Sequence, residues 1–157
     1  MDEKTRISYY KGSEHLTDVE GAEGIWYHIV ESVKEAGRQD ILSSPTVLDI
    51  GGGLGEFSKY LNSQGINCVS LDIQDLPVDP LANPVRGNIY RMPFRDASFD
   101  ILHGRGVFDN AMYWHSFPKL VQEIARVLKN KGILAINDFR PPPGAELGKL
   151  FRRLSID

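Results

Sequence analysis

A short strand that runs directly into a glycine-rich turn constrains this chain more than any other feature. Residues 46–50 read Thr-Val-Leu-Asp-Ile, and the next segment reads Gly51-Gly-Gly-Leu-Gly-Glu56. Glycine adopts backbone conformations that a side chain forbids, and it lets a ligand lie directly against the main chain. Apolar residues at helical spacing follow within residues 57–61. The sequence therefore predicts a strand–turn–helix unit of the kind that binds a nucleotide at its turn.

The spacing of the glycines distinguishes between ligands. A dinucleotide fingerprint G-x-G-x-x-G that began at Gly51 would need a glycine at position 56, where the chain has Glu56. The pattern present is D-x-G-x-G-x-G, formed by Asp49, Gly51, Gly53 and Gly55. Because a carboxylate repels a pyrophosphate, Asp49 favours a ligand that carries a positive group at this point. A nicotinamide-dependent oxidoreductase is therefore the disfavoured alternative.

Asp72 is the acidic partner of this turn. It stands 17 residues beyond Gly55, at the end of the second predicted strand. A carboxylate at this point can accept hydrogen bonds from both hydroxyls of a ribose. The alternative is an ordinary acid at a strand end, and the preceding glycine turn favours the ribose role.

Strands alternate with helices or loops along the rest of the chain. Apolar stretches predict further strands at residues 67–73, 85–88, 99–104 and 133–139. Helical stripes predict helices around residues 25–33 and 120–128. Three prolines within residues 74–84 argue against a regular helix there. The alternation predicts a doubly wound, mainly parallel α/β sheet of about five strands. Such a sheet binds its ligand beyond the carboxyl ends of its strands.

Composition excludes several classes of protein. A length of 157 residues is typical of a single domain. The net charge of −3 argues against non-specific electrostatic binding of nucleic acid. The one cysteine, Cys68, can form neither an internal disulfide nor a cysteine-rich metal site, and no metal is expected. No apolar run approaches the roughly 18 residues of a membrane span. The charged start, residues 1–4, lacks the apolar segment of a signal peptide. We expect a cytoplasmic protein that does not enter a membrane.

Three segments of the chain resemble the class I S-adenosylmethionine-dependent methyltransferases, in the order expected of that family. They are Val47–Ser58, Gly87–Asp100, which contains Met-Pro-Phe-Arg-Asp-Ala-Ser-Phe-Asp, and Glu123–Leu134, which begins Glu-Ile-Ala-Arg-Val-Leu. The likeness runs from about residue 20 to residue 139 and is nearest to a small-molecule branch that includes quinone-biosynthesis methyltransferases. It implies a Rossmann-like sheet with strand order 3-2-1-4-5. It also implies S-adenosylmethionine as cofactor and methyl transfer to a small-molecule acceptor by direct displacement.

The resemblance also assigns the core of a cofactor site. It implies that Asp49 lies near the methionine amino group and that Asp72 holds the ribose. The main chain at Gly51, Gly53 and Gly55 would line the ligand-binding site.

Ile73, Asn88 and Ile89 complete the implied cofactor site. Asn88 stands where the family usually has an aspartate that meets the adenine amino group, and its amide oxygen can still accept from an amine. Ile89 would flank the adenine ring, with simple core packing as the alternative. Ile73 is assigned to the same site beside the ribose-binding acid.

Candidate catalytic residues follow from the same comparison. A base is needed only if the acceptor must lose a proton. His103 and Arg105 lie where the family faces the sulfonium, and packing at a strand end or a surface ion pair are their alternatives. His115 is a weaker candidate. Tyr9 and Tyr10 are candidates for a lid, because aromatic faces attract cations.

The chain departs from the family at its end. It stops about where the family begins its last helix and a final two-strand hairpin, so the strand predicted at residues 133–139 loses its usual neighbour. Because an apolar strand with free backbone groups invites pairing, we expect a homodimer or a partner protein at this edge. The alternative is that the tail, residues 140–157, covers the edge.

The expected organisation is one domain over residues 1–157. A helical cap segment would occupy residues 1–44, and the cofactor-binding core residues 45–139. The main functional alternative to an enzyme is a non-catalytic cofactor-binding or partner subunit, for which the shortened end is the reason. Methylation of RNA or protein is a further alternative, and the acidic charge balance weighs against nucleic acid.

Overall fold

A computed structural model describes residues 6–9, 21–107 and 116–137. Within them lie six strands, β1 (Arg6–Tyr9), β2 (Thr46–Ile50), β3 (Asn67–Asp72), β4 (Pro84–Arg86), β5 (Phe99–Arg105) and β6 (Leu128–Asn137). The α-helices are α1 (Ala22–Glu35), α2 (Glu56–Ser63) and α3 (Phe117–Val127). Single turns of 3₁₀-helix lie at Gln39–Leu42 and Pro80–Ala82. No helix among these described residues is both long enough and apolar enough to cross a bilayer.

All six strands form one sheet in the order β1-β6-β5-β2-β3-β4, and every pairing is parallel. Strands β2 to β6 are the five predicted strands, and their order is the predicted 3-2-1-4-5. The doubly wound α/β fold is thereby confirmed. The sixth strand, β1, was not predicted.

Alternating side chains give the sheet an apolar surface on both faces, as expected of a parallel sheet covered by helices. One residue of each central strand packs with α1 and α2, namely Val47, Ile101 and Ile133. The next residue of each strand packs with α3, namely Leu48, Leu102 and Leu134. These six side chains are fully buried. The result is a three-layer arrangement with β2 at its centre.

The proline-rich stretch, residues 74–84, lacks a regular helix, as predicted. It holds one 3₁₀ turn, Pro80–Ala82. The side chain of Asp79 caps this turn by accepting a hydrogen bond from the Leu81 amide at 2.9 Å. Ala82 is fully buried. The Ala82 side chain packs against the glycine turn at Gly55.

Two boundaries differ from the predictions. The helical stripe was predicted to include Leu128, but α3 ends at Val127 and β6 begins at Leu128, five residues before the predicted strand. Leu128 has extended backbone angles and pairs with Phe99, because tertiary pairing overrides its local helical spacing. The predicted helical cap over residues 1–44 also contains β1 in addition to α1.

Two of the three recognised motif segments are bonded to each other through Arg126. Its guanidinium donates to the carbonyls of Met92 (3.0 Å) and Phe94 (2.7 Å) and to Asp96 (2.9 Å). It also pairs with Glu123 at 2.8 Å, and Glu123 in turn accepts from the Met92 amide at 2.7 Å. The hydrogen bonds from Arg126 lower the pKa of Glu123. The network fixes the loop before β5 onto α3.

We predict that Arg126→Lys lowers the free energy of unfolding by about 1–3 kcal/mol, because lysine cannot reproduce this planar set of hydrogen bonds. Arg95→Lys, at an exposed position of the same loop, is the matched control and should change stability by less than about 0.5 kcal/mol. The difference in unfolding free energy between Arg126→Lys and the wild type should shrink as the pH falls below 4.5, the ordinary pKa of glutamate. Arg126 lowers the pKa of Glu123 in the folded state, and this stabilisation is lost as Glu123 becomes protonated. Urea unfolding measures both, and equal losses in the two variants would contradict the network's role.

Strand β1 occupies the sheet edge that we predicted to be open. Arg6 to Tyr9 pair in parallel with residues 133–136 of β6. The premise of an unpaired β6 edge was therefore wrong. A four-residue Arg-Ile-Ser-Tyr stretch in an acidic segment lacks a strong strand pattern, and its pairing depends on β6. The predicted covering tail, residues 140–157, lies outside the described residues. A homodimer or a partner protein remains a prediction, but an unpaired β6 edge no longer supports it.

Removal of β1 provides a direct check. A chain that lacks residues 1–9 exposes the apolar β6 edge, so we predict that it self-associates more than the intact chain. Light scattering across a concentration series should give a larger mass for the shortened chain. Identical masses at every concentration would mean that β1 does not protect this edge.

Candidate functional site

The carboxyl ends of β2, β3 and β5 meet at the point where the strand order reverses. From β2 the chain builds outward to β3 and β4 on one side, and then to β5 and β6 on the other. Helix α2, which follows β2, packs on one face of the sheet, and α3, the next described helix after β5, packs on the other. In a parallel sheet this reversal places a crevice above the strand ends. The glycine turn, residues 51–55, follows β2 at this crevice.

Hydrogen bonds tie the glycine turn down onto β3. The N–H groups of residues 51–52 donate to the Leu71 carbonyl at 2.7 and 3.1 Å. The Gly53 N–H donates to Asp72 Oδ2 at 3.0 Å, and the Gly55 N–H donates back within the turn at 2.9 Å. A phosphate cradle needs such N–H groups to point at the ligand. With four of them bonded to protein oxygens, the turn suits a ligand that carries no phosphate here.

The glycines of the turn serve different purposes. A methyl group built on Gly51 would lie 2.0 Å from a Val107 side-chain carbon, and one on Gly55 would lie 2.6 Å from the Ala82 side chain. These two positions exclude a side chain because the protein itself packs there. Gly53 has φ +55°, and nothing lies within 4 Å of the corresponding point. Of the three predicted wall glycines, Gly53 is the one whose open side a ligand can approach.

Asp72 lies at the carboxyl end of β3 and is half-buried. Its Oδ1 accepts from the Gln74 amide at 2.9 Å, while its Oδ2 accepts from Gly53. A carboxylate has about four lone-pair sites, so two such bonds leave capacity for further donors. Asp72 therefore both positions the glycine turn and presents acceptor capacity beside it.

Two large apolar side chains stand exposed next to this carboxylate. Ile73 is 56% exposed and Leu54 is 55% exposed, although most apolar side chains of their size among the described residues are buried. Exposed apolar surface beside a polar group is typical of a ligand-binding site. The sequence assigned Ile73 to the site but did not single out Leu54.

Asn88 and Ile89 lie at the far side of the crevice, after β4. Asn88 is exposed, and its side-chain oxygen accepts from the Tyr90 amide at 2.9 Å, which closes a local turn. That oxygen keeps one lone pair for an amine. Ile89 is 7% exposed and belongs to the core on the α3 side of the sheet, so the core-packing alternative describes it in this structure.

A row of buried polar side chains lies beneath the glycine turn. Asp49 is 4% exposed, Ser70 3% and His103 1%, and Asp49 is in register with both of the others. His103 Nδ1 lies 2.8 Å from Asp49 Oδ1, and the imidazole packs against the ring of Phe57 at 4.4 Å between centroids. His103 Nε2 is buried and has no hydrogen-bond partner in the part of the chain that the structure describes.

This arrangement changes the interpretation of the predicted catalytic residues. His103 is buried inside β5, opposite Asp49, rather than presented at the crevice surface, whereas Arg105 is exposed at the end of the same strand. Sequence reasoning named Asp49 and His103 separately and missed that they bind each other. The available signal was that each stands one residue before the end of its predicted apolar strand.

The remaining candidates are placed as follows. Tyr9 ends β1 at the carboxyl edge of the sheet, in register with Ile136. Tyr10 and His115 lie outside the described residues. Burial raises the pKa of the Cys68 thiol to about 12, so this side chain is not a nucleophile at neutral pH.

A separate open groove of about 1010 Å³ runs between α1 and α2. Its described lining includes Tyr27 and His28 of α1 and Lys59 and Tyr60 of α2, but none of the predicted cofactor residues. We place the candidate site at the strand ends and not in this groove. The open side of Gly53, the Asp72 carboxylate and the reversal of strand order lie together at the strand ends.

Two proteins with similar sequences are named as methyltransferases, and a family model agrees with them. The family model described as a methyltransferase domain matches residues 48–136. A glycine/sarcosine/dimethylglycine N-methyltransferase of Actinopolyspora halophila is 25% identical over 138 residues, which cover 78% of this chain and 24% of that protein. A malonyl-[acyl-carrier protein] O-methyltransferase of Pectobacterium atrosepticum is 26% identical over 148 residues, which cover 85% of this chain and 56% of that protein. This chain thus spans about a quarter of the length of the first relative and just over half of the second.

A TehB-like S-adenosylmethionine-dependent methyltransferase from Corynebacterium glutamicum has a similar fold. Its crystal structure superposes with a TM-score of 0.57 at 21% identity and covers 85% of this chain and 82% of that one. None of these three similarities singles out the quinone-biosynthesis branch, which stays a prediction. The family model spans more than half of the chain, and the three motif segments meet around one parallel sheet with the expected strand order. The chain therefore belongs to the class I S-adenosylmethionine-dependent methyltransferases.

Proposed function

We propose that this domain binds S-adenosylmethionine at the carboxyl ends of β2, β3 and β4 and transfers its methyl group to a small-molecule acceptor. The observation that carries the proposal is the open side of Gly53 next to the half-buried carboxylate of Asp72. When bound, the cofactor supplies an electrophilic methyl group on a sulfonium. The protein supplies binding and alignment for a direct displacement.

The residues present fit an adenosine. Asp72 has lone pairs left for the two ribose hydroxyls, and the exposed side chain of Ile73 offers an apolar surface for a flat ring. The Asn88 oxygen retains one lone pair for the adenine amine. The bonded N–H groups of the glycine turn support a ligand without phosphate, which disfavours a nicotinamide dinucleotide.

The proposal of a small-molecule acceptor draws on the relatives. One is named for N-methylation of glycine and its methylated derivatives, and the other for O-methylation of a carrier-bound malonyl group. The acceptor in the first name is a free small molecule, and the acceptors in both names carry a carboxylate. Arg105, exposed at the end of β5, is the residue that we propose contacts such an acceptor. His103 is buried and bonded to Asp49, so its position does not support a role as a base for the acceptor.

Two measurements test the function in turn. Titration calorimetry with S-adenosylmethionine and S-adenosylhomocysteine tests the cofactor, and absence of binding at about millimolar ligand would overturn the proposal. An assay for S-adenosylhomocysteine release against a panel of amines, carboxylates and thioesters then tests transfer. Binding without turnover on any acceptor would favour the alternative, a non-catalytic cofactor-binding subunit.

The Asp72 carboxylate gives a specific prediction. Asp72→Ala should weaken S-adenosylhomocysteine binding by about 1–3 kcal/mol, through loss of charge-assisted hydrogen bonds. Asp75→Ala removes an exposed acid three residues away and is the matched control. Calorimetry on both variants should show the loss only for position 72. A similar loss at both positions would indicate a general effect of charge rather than ribose recognition.

Gly53 and Gly65 form a matched pair for the open side of the turn. Both have positive φ, +55° and +76°, and neither has an atom within 4 Å of an added methyl group. Alanine should therefore destabilise both positions by a similar amount, about 1 kcal/mol. Gly53→Ala alone should also reduce S-adenosylhomocysteine affinity, because its methyl group enters the ligand's space. Equal affinities for the two variants would place the ligand elsewhere.

A further inference from the structure

The sequence contains an amphipathic segment to which neither the fold nor the proposed function assigns a role. Within residues 147–154, apolar side chains recur at i, i+3, i+4 and i+7, which is the spacing of one helix face, and three basic side chains stand between them. We call residues 147–154 the basic segment, and it lies outside the described residues. An apolar face of this kind needs a surface that covers it. The apolar residues are Leu147, Leu150, Phe151 and Leu154, and the basic residues are Lys149, Arg152 and Arg153.

Two surfaces of the described fold suit the basic segment poorly. The β6 edge, which we expected the tail to cover, is already paired with β1. On the other side of the sheet, α3 presents an exposed Lys119, and its Glu123 and Arg126 are bonded to each other. A segment with three positive charges gains no electrostatic attraction from that helix.

The groove between α1 and α2 offers apolar surface. Tyr27 of α1 is 60% exposed, and Tyr60 of α2 and the exposed side chain of Leu81 line the same groove. Its volume of about 1010 Å³ is at the upper end of the range typical of small-molecule pockets. The size and open form of the groove therefore suit a length of polypeptide better than a small ligand.

The charge of the groove is complementary to that of the basic segment. Glu23 in the first turn of α1 and Glu56 in the first turn of α2 both line it. Lys59 also lines the groove, but its ammonium group is paired with the Asp79 carboxylate at 2.9 Å. The two glutamates therefore leave an excess of negative charge beside the tyrosine rings.

The chain is long enough to place the basic segment there. Glu56 follows the glycine turn, so the groove reaches the carboxyl ends of the strands, and β6 ends at Asn137 at the same end of the parallel sheet. Strand β6 lies two strand spacings, about 10 Å, from β2, which leads into α2. Residues 138–146 can span about 30 Å when extended. The linker therefore covers the distance with length to spare.

We propose that the basic segment docks in the groove between α1 and α2 of its own chain. Its apolar face covers Tyr27 and Tyr60, and its basic side chains lie beside Glu23 and Glu56. Arginine suits this surface in particular, because a guanidinium group both pairs with carboxylates and stacks on aromatic rings. The inference does not rest on the proposed function, since it involves none of the residues assigned to the cofactor.

A spin label on the tail locates the basic segment directly. Ser155→Cys provides one reactive thiol for a nitroxide, because the native Cys68 is fully buried. In the ¹⁵N-labelled chain, the label should broaden amide signals along the groove in α1 and α2 and leave those of α3, on the opposite face of the sheet, sharp. Broadening on α3 instead, or nowhere among the described residues, would overturn the proposal. Broadening that appears only when a spin-labelled chain is mixed with a separate ¹⁵N-labelled chain would assign the groove to a second copy and also overturn it.

Trypsin cleavage within the basic segment tests the two glutamates. The double variant Glu23→Gln, Glu56→Gln should be cleaved at residues 149–153 about threefold faster or more, because two ion pairs that hold the segment are lost. The double variant Glu35→Gln, Asp75→Asn removes two exposed acids outside the groove and should be cleaved at the wild-type rate. Mass spectrometry follows the fragments, and thermal unfolding confirms that both variants fold. Equal cleavage rates in the wild type and both variants would contradict docking beside Glu23 and Glu56.

Discussion

The structure depends on the central position of β2, which is paired in parallel on both edges and buried on both faces. Every strand residue from Val47 to Ile50 is buried. A strand in this position must end in a turn that satisfies its own backbone groups without the help of water. The glycine turn does so by donating to the end of β3, and this leaves the carboxyl ends of three strands grouped around one crevice. The candidate site is a consequence of that requirement.

The same strand is held at its other end by Asp100. The Asp100 carboxylate accepts from the Thr46 amide at 2.9 Å, from the Thr46 hydroxyl at 2.7 Å and from Lys129 at 3.0 Å. Burial opposes ionisation of this group, but the hydrogen bonds from Thr46 and Lys129 hold its pKa below the usual value. The starts of β2, β5 and β6 are therefore joined by one carboxylate. This fixes the relative register on which the opposite, ligand-facing end depends.

The recognisable motif segments thus contain residues of two kinds. Asp100, Glu123 and Arg126 belong to motif segments but have structural roles, because each satisfies backbone groups of a neighbouring element. Gly53 of the first segment instead has an open side at the strand ends, next to Asp72 of β3, which lies outside the three segments. A motif identifies the fold as a whole, and only the contacts of each residue distinguish the scaffold from the site.

The sequence by itself determined the parallel α/β architecture, the strand order through the family resemblance, and the glycine turn with Asp72 beside it. These follow from local patterns: apolar strands, helical stripes and glycines at fixed spacing. Tertiary structure alone decided that Asp49 and His103 form a pair, that Gly53 is the open glycine, and that Arg6–Tyr9 covers the β6 edge. Each of these depends on which residues stand opposite each other in neighbouring strands. Register is set by packing between segments far apart in the chain, so no local pattern encodes it.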